Sequence, residues 1–109
     1  MQIAAPRSTP YSASKAGILG LTRALSMAVA AWGITVNAIA PGAIATPINR
    51  QLLEDKPRLE ALLKQIPLGR LGKPEEVAGL AAFLASSDAD YATGSTYFLD
   101  GGLTWNYQE

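Results

Sequence analysis

Trp32-Gly33-Ile34-Thr35-Val36-Asn37-Ala38-Ile39-Ala40-Pro41-Gly42 joins an apolar helix to a strand and the strand to a glycine loop. Gly33 can take the left-handed backbone that ends a helix. Ile34 to Ala40 is β-like, with Ile34, Val36 and Ala38 on one face. Upstream, Thr9 offers a side-chain oxygen to an orphan helix N–H, and Pro10 at the first helical position loses no bond. A helix is therefore predicted from Pro10 to Trp32. It carries Ile18, Leu19, Leu21, Ala24, Leu25, Met27, Ala28 and Val29 around most of its circumference, so it must be covered nearly all round.

Downstream, Pro47 to Gln65 reads as two short amphipathic helices. Asp55 is a cap, Leu59, Leu62, Leu63 and Ile66 form one stripe, and Glu60 precedes Lys64 by one turn. Pro67, Gly69 and Gly72 mark a loop. Pro74-Glu75-Glu76 then opens a helix that ends near Ala85, with both carboxylates in the first turn against the positive end of the helix dipole. Ser86 to Asp90 is turn-like, and Ser95 to Leu99 is a second strand ended by Asp100-Gly101-Gly102. Two strands separated by helical crossovers should be parallel, in a sheet with helices on both faces. The fold class is thus α/β. Parallel strands are normally buried within larger sheets, so this pair belongs to a doubly wound domain of which it is one part.

Composition narrows the function. Nine basic and nine acidic residues balance without a run of like charge, which excludes a nucleic-acid footprint and a polybasic membrane patch. The chain has no cysteine and no histidine, so disulfides, thiolate chemistry, a zinc site and a serine–histidine triad are out of reach. Met1 to Pro10 is too short and polar for a signal peptide, and no apolar run approaches the roughly 20 residues that span a bilayer. The expectation is a soluble cytoplasmic protein whose partners are small molecules and other subunits.

The chemistry is concentrated in Tyr11-Ser12-Ala13-Ser14-Lys15. Tyr11 and Lys15 lie one helical turn apart on the same face. A free phenol has a pKa of about 10, so a Tyr exchanging protons near neutrality needs a cation within about 4 to 6 Å to favour the phenolate. Alone, the same spacing describes a Tyr packed under a Lys stem. The combination with a glycine loop at a strand end favours acid/base work. The loop Pro41 to Pro47 follows the carboxyl end of the predicted strand, where open α/β sheets bind ligands. Gly42 leaves the backbone approachable, free N–H and C=O groups can pair with an amide such as that of nicotinamide, and Thr46 adds a hydroxyl. A plain turn with Thr46 as N-cap before Pro47 remains open beside that reading. Trp32, Tyr97, Phe98 and Trp105 read as packing or interface residues.

Four ordered segments, Tyr11 to Lys15, Gly33 to Gly42, Arg70-Leu71-Gly72-Lys73-Pro74-Glu75-Glu76-Val77-Ala78 and Thr93 to Gly102, closely resemble the C-terminal half of the short-chain dehydrogenase/reductase family. Ala43-Ile44-Ala45-Thr46-Pro47-Ile48-Asn49 looks most like bacterial glucose 1-dehydrogenases of that family. The resemblance implies a Rossmann-like fold and an NAD- or NADP-dependent oxidoreductase acting on a secondary alcohol or carbonyl, possibly a sugar. It implies that Tyr11 is the acid/base and that Lys15 holds the nicotinamide ribose and lowers the pKa of Tyr11. Pro41, Gly42, Ala43, Ile44 and Thr46 would hold the carboxamide side of the cofactor. The family's glycine-rich pyrophosphate turn, Asn-Asn-Ala-Gly strand end and upstream catalytic Ser have no counterpart in this sequence. The expectation is one partial domain, residues 1–109, lacking its dinucleotide-binding half and inactive as an isolated chain. It would form a homo-oligomer through helix 10–32. The rival reading is a non-catalytic fragment that only associates with full-length subunits.

Overall fold

The computed structural model describes the backbone of residues 9–105 and the side chains of residues 13–104. The chain divides into two compact units. One gathers the residues up to Ile39 with Phe83–Tyr97, and the other gathers Ala40–Ala82 with the residues from Phe98 onward. Six regular elements are described: α1 (Thr9–Val29), β1 (Ala38–Pro41), α2 (Arg50–Glu54), α3 (Lys56–Gln65), α4 (Pro74–Leu84) and β2 (Thr96–Leu99). The sheet has two strands. Ala38 N–H bonds Ser95 O and Gly42 N–H bonds Leu99 O, both at 2.9 Å, so the pairing keeps one offset along both strands and is parallel as expected.

In the first unit α1 passes into a single 3₁₀ turn, Ala30–Trp32. Gly33 closes it at φ 71°, its N–H on Ala30 O at 3.0 Å. The face of α1 that this chain buries is narrow and small. Thr22 and Ser26 are 7% and 5% exposed, and half-buried Lys15, Leu19 and Val29 extend the same stripe. Each buried hydroxyl is satisfied inside the helix, Thr22 Oγ1 donating to Ile18 O at 2.8 Å and Ser26 Oγ to Arg23 O at 2.7 Å. Ile18, Leu21, Leu25 and Met27 stay exposed, Met27 at 82%. The apolar girth read from the sequence is therefore present, and this chain leaves most of it open.

The strand predicted from Ile34 is corrected: β1 begins only at Ala38. A parallel ladder continued back to Val36 would take its N–H to Thr93 O and bring Ser95 N–H to Val36 O. Side chains occupy those places instead. Val36 N–H donates to Thr93 Oγ1 at 3.0 Å, and Ser95 N–H donates to Asn37 Oδ1 at 3.3 Å. Asn37 Nδ2 donates to Ala92 O at 2.9 Å, and Gly94 N–H takes Val36 O at 2.7 Å. The backbone groups are satisfied without a strand, so the alternation of Ile34 and Val36 never becomes a sheet face.

In the second unit the amphipathic reading of the middle segment holds. Leu59, Leu62 and Leu63 are half-buried and Ile66 is 3% exposed. Asp55 Oδ1 caps α3 by accepting Arg58 N–H at 3.3 Å. Ile44, Ile66 and Ala89 are the buried hydrophobic residues among those described, which is little core for so apolar a sequence. Among the described residues no helix is long and apolar enough to cross a membrane.

Asn37 is the joint that ends the ladder, and its loss should be felt as stability. Asn37→Leu keeps the volume but strands Ser95 N–H and Ala92 O, for an expected loss of about 2 to 3 kcal/mol in urea unfolding. Asn37→Asp, which keeps the acceptor, should lose less.

Candidate active site

Tyr11 and Lys15 stand four residues apart in α1, as the sequence required, and belong to the first unit. The side chain of Tyr11 lies outside the described residues. Lys15 lies on the buried stripe of α1 with Leu19, Thr22 and Ser26.

Pro41, Gly42, Ala43, Ile44 and Thr46 belong to the second unit. The loop crosses the end of β2 at very short range. A Cβ on Gly42 would stand 2.7 Å from Asp100 Cβ and 2.9 Å from Asp100 Cα, so only glycine fits there. Beyond it, Gly72 N–H donates to Ala43 O and Ala45 N–H to Gly72 O, both at 2.9 Å, which makes Ile44 and Gly72 an isolated parallel bridge. In such a bridge Gly72 bonds the peptide groups on either side of Ile44, and the N–H and C=O of Ile44 itself face the opposite edge. Asn49 Nδ2 donates to the Ile44 carbonyl. The Ile44 N–H has no acceptor among the described residues. An amide ligand recognised by backbone needs that pairing of a free N–H with a carbonyl of fixed direction. Thr46 occupies the N-cap position of the 3₁₀ turn Pro47–Asn49 and its carbonyl accepts Asn49 N–H at 2.9 Å. Its hydroxyl makes no capping bond. The turn therefore forms without the hydroxyl, which leaves that group to other work.

A charged fork supports this loop. Arg70 Nη1 and Nη2 donate to Glu76 Oε1 and Oε2 at 2.7 and 3.0 Å, and Glu76 Oε1 also accepts Lys73 N–H at 2.9 Å. The Arg70 bonds first, and then the Lys73 N–H, hold the Glu76 carboxyl down at about 2. The same fork raises Arg70 above its ordinary value. Beneath the loop, a cavity of about 80 Å³ is lined by Ala43, Gly72, Leu99 and Asp100 among others. Burial alone would raise the Asp100 carboxyl. Bonds from the Thr104 hydroxyl and from Gly102 N–H (2.9 Å) and Thr104 N–H (3.0 Å) outweigh burial and leave Asp100 below the usual range.

Gly72, Arg70, Asn49 and Asp100 were not singled out by sequence reasoning about the site. A signal existed for Glu76, the partner of Arg70. Lys73 before Pro74 with Glu76 two positions further on is half of a capping box, in which the carboxylate returns to the N-cap N–H. The helix dipole is by itself a sufficient account of Glu75 and Glu76 in the sequence, and no spacing there names Arg70 as a second partner of Glu76.

The sequence and the fold of the chain are similar to those of known proteins. A family model described as enoyl-(acyl carrier protein) reductase matches residues 1–104. The chain is 50% identical over 99 residues to 3β-hydroxysteroid dehydrogenase 1 of Eggerthella lenta, covering 91% of this chain and 38% of that protein. It is also 50% identical over 103 residues to glucose 1-dehydrogenase 2 of Bacillus subtilis, covering 94% and 40%. The chain belongs to the short-chain dehydrogenase/reductase family. A family structure from Agrobacterium tumefaciens with bound NADP superposes with a TM-score of 0.80 at 48% identity, over 85% of this chain and 38% of that one. The parallel strands and helices described above are thus part of the family's Rossmann-like α/β domain. The chain spans about two fifths of the length of the curated relatives it matches.

The fork makes an acid-side prediction. An unfolded Glu titrates near 4.5 and Glu76 near 2, so its contribution is complete above pH 4.5 and fades as pH falls towards 2, where the folded state also takes the proton. Thermal midpoints of the chain and of Glu76→Gln should differ at pH 6 and converge as pH approaches 2.

Proposed function

We propose that this chain carries the acid/base and nicotinamide-side portion of an NAD(P)-dependent oxidoreductase that moves hydride between the cofactor and a secondary alcohol or carbonyl. The observation that carries the reading is the Ile44 edge. A buried loop residue, fixed by the bridge to Gly72, turns a bonded C=O and an N–H with no acceptor among the described residues away from that bridge. These groups match a carboxamide, and family membership supplies nicotinamide as the carboxamide in question. When bound, the cofactor accepts or delivers the hydride; the protein binds, orients and moves the proton. In this reading Pro41, Gly42, Ala43, Ile44 and Thr46 hold the carboxamide side. Tyr11 gives a proton to the carbonyl oxygen during reduction and takes one from the alcohol during oxidation. Lys15 favours the phenolate and holds the nicotinamide ribose. The residues 1–109 would be the C-terminal half of one family domain.

Steroid and sugar relatives stand at the same identity to this chain, so identity alone does not choose a substrate. The glucose 1-dehydrogenase-like segment Ala43 to Asn49 favours a sugar. A second reading rests on a different observation, the exposed Ile18, Leu21, Leu25 and Met27 of α1. An apolar face of this kind suits association with another subunit, and the chain could act only through such contacts. In the catalytic reading the same face serves a homo-oligomer.

Two measurements separate these. In a complete enzyme carrying this half, Tyr11→Phe should lower turnover by about 10² to 10⁴-fold with cofactor affinity hardly changed, whereas Lys15→Met should harm both. Near-normal turnover in Tyr11→Phe removes the role given to that residue.

The 109 residues contain no Gly-x-Gly-x-x-Gly turn for a pyrophosphate. Calorimetry on the isolated chain should therefore show NADP binding weaker than about millimolar, a free-energy change smaller than about 4 kcal/mol. Light scattering should find it self-associated. Saturable micromolar binding would reveal a phosphate site of another kind.

A further inference from the structure

The loop that bears Ile44 is aligned by the bridge to Gly72, and something must in turn align Gly72. Glycine is the least restrained of residues and has no side chain to pack. Its direction comes from the two peptide groups that flank it. Each peptide is planar and trans, so a force on its C=O fixes where its N–H points, and the reverse. In the peptide before Gly72, the Leu71 carbonyl accepts Arg70 Nη1 at 3.1 Å while Gly72 N–H reaches Ala43 O at 2.9 Å. In the peptide after it, Lys73 N–H donates to Glu76 Oε1 at 2.9 Å while Gly72 O receives Ala45 N–H at 2.9 Å. One end of each plane is held by the Arg70–Glu76 fork and the other end holds the loop. The two anchors are tied to each other at 2.7 and 3.0 Å.

We propose that Arg70 and Glu76 are positioning residues for the Ile44 edge: the fork clamps both peptide planes of Gly72 and so sets the direction in which Ile44 presents its N–H and C=O. The inference rests on the reading of Pro41 to Thr46 as the nicotinamide loop for its functional meaning, but its geometry stands without that reading. It also gives the fork a reason beyond stability. Arg70 and Glu76 side chains are 50% and 37% exposed, and an exposed ion pair by itself contributes little to folding. A bidentate fork is, however, the geometry that fixes direction. Gly72 completes the arrangement, because a Cβ there would stand 2.6 Å from Ile44 Cδ1. A side chain at that position would require the end of the Ile44 side chain to move aside.

Hydrogen exchange followed by mass spectrometry on the 109-residue chain tests this without cofactor and in any state of association. Arg70→Met, which removes every bond from the guanidinium, should accelerate exchange at Gly72 and Ala45 by roughly ten- to a hundredfold, the factor implied by losing charge-assisted bonds. Exchange within α3 should stay unchanged. Arg70→Lys keeps one charged donor and should restore part of the protection, a rescue that a space-filling role would not give. If Arg70→Met fails to fold, Glu76→Gln, which keeps the shape and the contact to Lys73 N–H, should show the same local acceleration in smaller degree. Unchanged exchange at Gly72 and Ala45, or acceleration spread evenly over α3 and α4, would overturn the proposal. These results bear on positioning alone, whereas the Tyr11→Phe and NADP measurements decide the enzymatic reading.

Discussion

The parallel ladder between β1 and β2 is the constraint from which the described architecture follows. Its offset is the same at Ala38 and at Gly42, so the strands deliver their carboxyl ends together. The last bond, from Gly42 N–H to Leu99 O, brings the loop across the Asp100 backbone at a range only glycine tolerates. At the other end the ladder stops because Thr93 and Asn37 offer side-chain oxygens to backbone donors that a longer strand would have paired. The strand's length is thus decided by competing hydrogen bonds. Hydrophobic alternation, which continues to Ile34, does not decide it.

What the loop can do chemically follows from the same preference for satisfied backbone. A single bridge to Gly72 uses the peptide groups around Ile44 and leaves those of Ile44 on the other edge. Recognition by backbone is insensitive to the side chains of Ala43 and Ala45, and it requires instead that the peptide planes be held still. Asn49 holds the Ile44 carbonyl, and the Asp100 turn beneath is fixed by the Thr104 hydroxyl and two N–H donors. Helix α1 works by another principle. Its buried stripe is Thr22 and Ser26, whose hydroxyls bond within the helix and so add bulk without unmet polarity, while its larger apolar residues remain outside. Within the described residues, α1 therefore buries small polar groups and leaves Ile18, Leu21, Leu25 and Met27 uncovered by this chain.

The order of helices and strands was legible in the sequence, because each boundary is set locally. Thr9-Pro10 starts α1, Gly33 ends its last turn, Asp55 caps α3, and Pro74 opens α4. These depend on propensities and caps within a few residues, which a sequence displays directly. The spacing of Tyr11 and Lys15 and the place of the Pro41 loop after a strand were legible for the same reason, as was the family to which they point. The length of β1, the bridge to Gly72, the fork between Arg70 and Glu76 and the bond from Asn49 to Ile44 were decided only in the tertiary structure. Each is a choice among several competent partners for one donor or acceptor. Glu76 had a sufficient partner in the helix dipole and took Arg70 as well, and Ser95 had a carbonyl to pair with and took Asn37 Oδ1. Some of these choices join segments remote in the chain, as Ser95 with Asn37, and others join residues five or six apart, as Asn49 with Ile44 and Arg70 with Glu76, where the path of the intervening loop selects among the available partners.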